Sequence, residues 1–158
     1  MALSASKKSI LLWLLLPLIG LLALWFLFRR GPAPTINRIL SRYGIPSLTR
    51  KYWIAISAFE TNFWTSRVFR DSNNLFNIIM PAKYGLPALK YGEGQTIFSS
   101  TEESVVALAE HVLKPFNYPR VPASLGDLVS YMKTKGFYTA SEALYQTGAR
   151  SAFDKLYG

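Results

Sequence analysis

Ile10 to Phe28 is a run of nineteen residues without a single charge, preceded by Lys7-Lys8 and closed by Arg29-Arg30. At about 1.5 Å of rise per residue, a helix of that length crosses the ~30 Å hydrocarbon core of a bilayer. A cleaved signal peptide has a shorter apolar stretch and a small-residue exit, whereas this one ends in Trp25-Phe26-Leu27-Phe28. Pro17 is costly in a soluble helix and tolerated in a membrane one, and Trp13 and Trp25 sit near the two ends, where aromatic belts form. The run therefore predicts an uncleaved membrane anchor over residues 10–28, behind a short basic tail, residues 1–9.

What remains is enough for one domain with a real core, and not for two. Residues 1–30 hold four basic and no acidic side chains, so of the net charge of +9 only +5 belongs to residues 31–158. A moderately basic surface suits an anionic polymer, but nucleic acid or lipid headgroups would attract it too. The absence of cysteine excludes disulfides and thiol chemistry. His111 is the lone histidine, which leaves no set of ligands for a transition metal and no Ser-His-Asp triad; no cofactor loop is present either. Lys114, Arg120, Lys133 and Lys135 are interleaved with Phe116, Tyr118 and Tyr131, a pattern better read as a solvated face than as a nucleic-acid surface.

The chemistry concentrates between Ser57 and Ile79. Apolar residues at Tyr52, Trp53, Ile56, Phe59 and Phe63 predict a largely buried helix, opened by Ser47 or Thr49, with Glu60 near its C-terminal end. Apolar neighbours and the negative end of the helix dipole both disfavour the ionised carboxylate and push its pKa upward. A general acid for glycosidic cleavage needs such a held proton. Asn73-Asn74 then supply amides able to lock a turn or bind an acetamido group, and Phe76 could stack on a sugar face or belong to the core. Trp64 is a candidate for lining the same cleft or for filling it.

The order and spacing of these pieces resemble the glucosaminidase domain, glycoside hydrolase family 73 of the lysozyme-like superfamily. That family carries Glu-Ser/Thr-Gly about fourteen residues before Asn-Asn-Leu-Phe-Gly, and here Glu60, followed by Thr61, precedes Asn74 of Asn73-Asn74-Leu75-Phe76 by fourteen. Ile79-Met80-Pro81 is similar to the entry into the family's hairpin lobe, and Ile97 to Val105 to its return into a helix. Leu128 to Ala140 is similar to its closing helix and Gly-Tyr-Ala segment. Asn62 stands where the family has Gly, and Asn77 replaces the Gly after Leu-Phe, a position where both residues accept positive φ. The family Tyr falls on Phe137 without a gap and on Tyr138 with a slip of one.

The resemblance implies a mainly α, lysozyme-like α+β domain over residues 45–158 with a small β-hairpin lobe, following a linker and first short helix at 29–44. It implies a peptidoglycan glycosidase, whether glucosaminidase, muramidase or lytic transglycosylase, with Glu60 as the acid and Glu93, the sole acidic residue of the hairpin, as second carboxylate. Trp64, Asn74, Phe76, Tyr84, Tyr91 and Tyr138 are the implied substrate contacts. The glycan strand is then one partner and the bilayer, through residues 10–28, the other. Basic residues flank the anchor on both sides, so the positive-inside rule does not export the domain. A bacterial envelope, or the membrane of a membrane-containing bacterial virus, is the expected setting. Two rivals stand beside this reading: an inactive lysozyme-like wall-binding protein, and a membrane scaffold that binds nucleic acid or lipid heads.

The remaining elements follow from caps and breakers. Thr35 should cap a helix ending at Gly44, and Ser100-x-x-Glu103 forms a capping box for a helix to about Leu113. Ser124 should open a helix that Gly136 stops, and Ser141 a last helix to Leu156, interrupted at Gly148.

Overall fold

The computed structural model describes residues 31–78, 91–92, 95–114 and 122–158. The predicted anchor at 10–28, Tyr84 and Glu93 lie outside them, and of Tyr91 only the backbone is described. Pro32–Gly158 forms one compact unit. Among the described residues no helix is long and apolar enough to cross a membrane.

The unit is mainly helical. Helix α1 (Ala33–Arg42) starts two residues before Thr35, because proline at its first positions pre-sets helical φ and needs no donor there. It ends where Gly44 turns left-handed at φ 72°, as its sequence predicts. Arg50 secures the corner into the next helix, donating to the Ile45 carbonyl at 2.5 Å and to Asn37 at 2.7 Å. Helix α2 (Ser47–Glu60) is the central element, with Tyr52 through Ala58 all buried. It packs on α1 on one side and on the last helix on the other. Ala55, Ala58 and Ala152 meet at that second contact, and such small side chains let two helices approach closely.

A short helix, α3 (Arg67–Ser72), capped by Ser66, was not expected; it ends at Asn73 with φ 52°. Strands β1 (Tyr91–Gly92) and β2 (Gln95–Thr96) pair antiparallel, with Tyr91 opposite Thr96. These two short strands are all the sheet that the described residues contain. Helix α4 (Thr101–Ala107) carries the predicted Ser100 cap, with Ser100 accepting from the Glu103 amide. Glu103, however, turns to the amide and hydroxyl of Ser99 rather than closing the box on Ser100. The helix then widens into a π-helical stretch, Leu108–Leu113, which keeps Leu108, Ala109, Val112 and Leu113 buried. Arg38 and Glu102 pair across α1 and α4, and the Tyr43 hydroxyl donates to Glu110 at 2.6 Å.

Helix α5 (Leu125–Thr134) begins at its Ser124 cap, and Gly136 follows it at φ 67°. Helix α6 (Glu142–Tyr157), capped by Ser141, runs unbroken through Gly148. The expected interruption there is thus corrected: a Cβ at Gly148 would come within 2.1 Å of the Phe59 ring, so this glycine serves a close helix approach rather than a break.

Candidate active site around Glu60

Glu60 is the last residue of α2, half-buried where that helix meets α6. Two side chains from distant parts of the chain reach it. The Tyr145 hydroxyl, on α6, donates to its Oε1 atom, and the Asn77 side chain hydrogen-bonds the same carboxyl group. Burial pushes the Glu60 carboxyl above the ordinary carboxylate range, while the bonds from Tyr145 and Asn77 pull in the opposite direction without cancelling it. The carboxyl therefore combines a raised proton affinity with a fixed orientation, two properties that suit a general acid.

Behind Tyr145 stands a layer of aromatic rings. Tyr138 stacks on it with ring centroids 3.9 Å apart and planes 12° from parallel. Phe59, the residue before the acid, meets it edge-on at 5.1 Å. Tyr138 donates its hydroxyl to the Val129 carbonyl at 3.2 Å. Burial, and then the charge of Glu142, push its phenol up to about 12, which keeps it a donor at neutral pH. Phe137 instead packs edge-on against Trp53 in the core, 6.3 Å between centroids. Tyr138 thus faces Tyr145, the partner of Glu60, and Phe137 faces the interior.

The chain leaves Glu60 through an unusual turn. Asn62, Phe63 and Trp64 all have positive φ, 48°, 54° and 63°, a conformation that costs an L-residue roughly 1–2 kcal/mol each. Dense local bonding holds it. The Phe63 amide reaches back to the Ala58 carbonyl at 2.6 Å, and the amides of Thr65 and Ser66 bond the Thr61 carbonyl. Thr61 Oγ1 donates to the Ser57 carbonyl at 2.6 Å and accepts from the Trp64 amide at 3.0 Å. The Trp64 indole N–H donates to Ser57 Oγ at 3.2 Å, so Trp64 lies half-buried along the end of α2 and buttresses the helix that ends in the acid. Strain of this kind, concentrated in the residues after a proton-holding carboxyl, marks a built site.

Two of the expected sugar contacts are corrected. Asn74 is 2% exposed, and its amide is spent internally: Nδ2 donates to the carbonyls of Ile78 (3.0 Å) and Thr96 (3.3 Å), and Oδ1 accepts from the Ile78 amide at 3.0 Å. It clips the turn to the hairpin, and its burial keeps the amide turned inward rather than toward a glycan. Phe76 is fully buried and packs edge-on against Trp53 at 6.0 Å, so no face is open to a sugar. In both cases the Asn-Asn-Leu-Phe segment shapes the site from beneath.

Sequence reasoning did not find Tyr145 or the side-chain role of Asn77. Tyr145 carried one signal: it shares a helical face with Ala149 and Ala152, and a tyrosine buried among small apolar residues needs an internal partner for its hydroxyl. Also unread was a polar cluster next to Tyr138. Glu142 accepts from the Ser130 hydroxyl and from Gln146 Nε2 at 3.0 Å. Lys133 Nζ lies 5.2 Å from the Tyr138 ring centroid and donates to the carbonyls of Thr139 (3.0 Å) and Ala140 (2.7 Å). A groove of about 750 Å³ opens along α6 at Gln146, Arg150 and Asp154, beside Leu125 and Gly126; none of the residues touching Glu60 line it.

The chain matches the glucosaminidase family model, described as mannosyl-glycoprotein endo-beta-N-acetylglucosaminidase, over residues 33–157. No curated protein and no solved structure matches the chain.

Proposed function

We propose, for a chain that belongs to the glucosaminidase family, that it is a peptidoglycan hydrolase cleaving β-1,4 glycosidic bonds of the glycan strand with Glu60 as general acid. The observation that carries this reading is the burial of the Glu60 carboxyl at the end of α2, with its proton affinity raised and its Oε1 held by Tyr145. In the reaction the Glu60 proton passes to the glycosidic oxygen as its bond to the anomeric carbon breaks, water supplies the new hydroxyl on that carbon and the proton that restores the acid, and in the interval the carboxylate is received by the donors already in place. Such acid assistance is worth about 10²–10⁴ in rate. The assignment is tested by clearing of purified peptidoglycan with the full-length chain beside Glu60→Gln. Loss of clearing in the variant supports it; no clearing by the parent, or equal clearing by both, defeats it and leaves a non-catalytic wall-binding protein.

The hydrolase works from a membrane, tethered through residues 10–28. The support is the nineteen-residue uncharged run and its basic flanks. A net charge of +5 on residues 31–158 favours retention on an anionic wall polymer. The setting is a bacterial envelope or the membrane of a membrane-containing bacterial virus. Protease accessibility of the C-terminal domain in intact cells or particles tests the topology, and a domain confined to the cytoplasm would overturn the wall-facing assignment.

A further inference from the structure

We propose that Lys133 is a positioning residue for the acid: it clamps the connection between α5 and α6, sets the Tyr138 ring against Tyr145, and so holds the Tyr145 hydroxyl on Glu60. The inference rests on the reading of Glu60 as the general acid, and it gives a task to a lysine whose sequence pattern reads as part of a solvated face.

Lys133 lies in the last turn of α5, where a cation commonly serves the terminal carbonyls of its own helix. Its ammonium is used elsewhere. Nζ donates to the carbonyls of Thr139 at 3.0 Å and Ala140 at 2.7 Å, six and seven residues further on. It also lies 5.2 Å from the Tyr138 ring centroid, within the range of a cation–π contact. The two carbonyls stand directly before Ser141, the cap of α6. One side chain thus ties the end of one helix to the start of the next and closes the loop that carries Tyr138. On the near side of Tyr138, Gly136 turns left-handed at φ 67°, and the Phe137 amide returns to the Met132 carbonyl at 3.0 Å. Tyr138 is bracketed between a core-anchored Phe137 before it and the Lys133 clamp after it.

The bracket matters because Tyr138 belongs to neither helix, so no helical ladder fixes its backbone. Its hydroxyl reaches the Val129 carbonyl at 3.2 Å, which leaves the rest of its placement to the connection. Tyr145 is the converse case. Helix α6 fixes its backbone, but the direction of its ring depends on side-chain rotations that packing must select. Tyr138, stacked at 3.9 Å, and Phe59, edge-on at 5.1 Å, make that selection, and the hydroxyl so aimed bonds Glu60 Oε1. A loosened connection moves the surface on which Tyr145 rests, and small misplacements of a group that orients a reacting acid are costly. The neighbouring charges do not replace the clamp. Glu142 is engaged by Ser130 and Gln146, and Lys135 lies beside the Tyr131 ring, 5.3 Å from its centroid.

Lys133→Met, made in the full-length chain, keeps the side chain long and removes its donors. Thr139 and Ala140 are exposed, so water can take over their carbonyls and the variant should fold. Lys133→Arg keeps both charge and donors. Lys135→Met removes an equal charge two residues away and controls for attraction to an anionic substrate. The readouts are kcat and KM on peptidoglycan and the ring-proton resonances of Tyr145, which the stacked Tyr138 ring shields and which Tyr145→Phe identifies. In Lys133→Met, kcat should fall roughly tenfold with KM little changed, the pattern of lost orientation rather than lost binding. The Tyr145 resonances should move toward those of an unstacked tyrosine. Lys133→Arg should recover most of both, and Lys135→Met should match the parent. Parent-like Tyr145 resonances in Lys133→Met overturn the proposal, as do a raised KM with kcat preserved, equal losses in Lys135→Met, or a Lys133→Met chain that does not fold. An inactive parent defeats the hydrolase reading alone, because the Tyr145 resonances still decide whether Lys133 sets the stack.

Discussion

Tyr145 and Glu60 lie 85 residues apart in the chain and meet through a single hydrogen bond, hydroxyl to Oε1, where α6 crosses the end of α2. Tyr145→Phe removes that bond and keeps the ring stacked on Tyr138 and edge-on to Phe59. Because the hydroxyl stabilises the ionised carboxyl, its loss should raise the Glu60 pKa further. Glu60 is active when protonated, so the alkaline limb of the pH–rate profile should move to higher pH. Its poorer orientation should lower kcat by roughly tenfold, and global stability should fall by only about 1 kcal/mol. A pH–rate profile with chemical denaturation checks both; an unchanged alkaline limb would separate Tyr145 from the acid's ionisation.

Glu60 should also carry a pH-dependent cost to folding. A carboxyl whose folded pKa is raised stabilises the native state most when protonated, below its unfolded pKa. That contribution disappears as pH rises through the folded pKa, where the buried group must ionise. Glu60→Gln removes the titration while retaining shape and hydrogen-bonding capacity. The variant should therefore gain thermal stability relative to the parent at neutral and alkaline pH and lose that advantage in acid. Melting temperatures of both proteins across pH would show it, and parallel curves would mean that Glu60 is not destabilised by burial.

The burial of Glu60 was legible in the sequence because part of its surroundings is local: Ile56 lies one helical turn before it, Phe59 precedes it, and the helix end follows from the same period. The caps at Ser100, Ser124 and Ser141 were legible for the same reason, each being a contact between residues three apart. What grips the acid was not. Tyr145 arrives from the far end of the chain, and Asn77 through a left-handed turn whose sequence marks the backbone conformation but not the direction of the amide. The turn at Phe63 and Trp64 was hidden more deeply, since neither residue type favours positive φ and only the surrounding hydrogen bonds hold them there. Asn74 and Phe76 were misassigned because an amide and an aromatic ring beside an acid serve a sugar or a core equally well; burial alone decides between them.

Asn74→Ala should separate these two roles. The substitution strands the Ile78 amide and takes the side-chain donor from the Thr96 carbonyl and from the Ile78 carbonyl, which keeps only the Thr96 amide at 3.3 Å. Leaving such buried groups unpaired should cost about 2–4 kcal/mol. A substrate contact would instead raise KM with stability intact. Denaturant unfolding beside KM, measured at a temperature where the variant stays folded, distinguishes the outcomes; unchanged stability with weakened substrate binding would restore Asn74 to the glycan cleft.

Gly148 provides the complementary case, in which stability should be spared and function lost. In Gly148→Ala the new methyl would occupy the space of the Phe59 ring, with the Cβ 2.1 Å from Cε2. Phe59 is 36% exposed, so the ring can swing outward rather than force the helices apart. Alanine favours the helix by up to about 1 kcal/mol over glycine, and the lost aromatic contact costs about 0.5–1.5 kcal/mol. The two nearly offset each other, and net stability should change by less than about 1 kcal/mol. Yet the departing ring is the one that meets Tyr145 edge-on beside Glu60, so kcat should drop several-fold through looser placement of the Tyr145 hydroxyl. Phe59→Ala should reproduce the kinetic loss without the helix-propensity gain. Denaturation curves, near-ultraviolet circular dichroism and kcat for the two variants are the checks; full activity in both would show that Phe59 does not support the tyrosine that holds the acid.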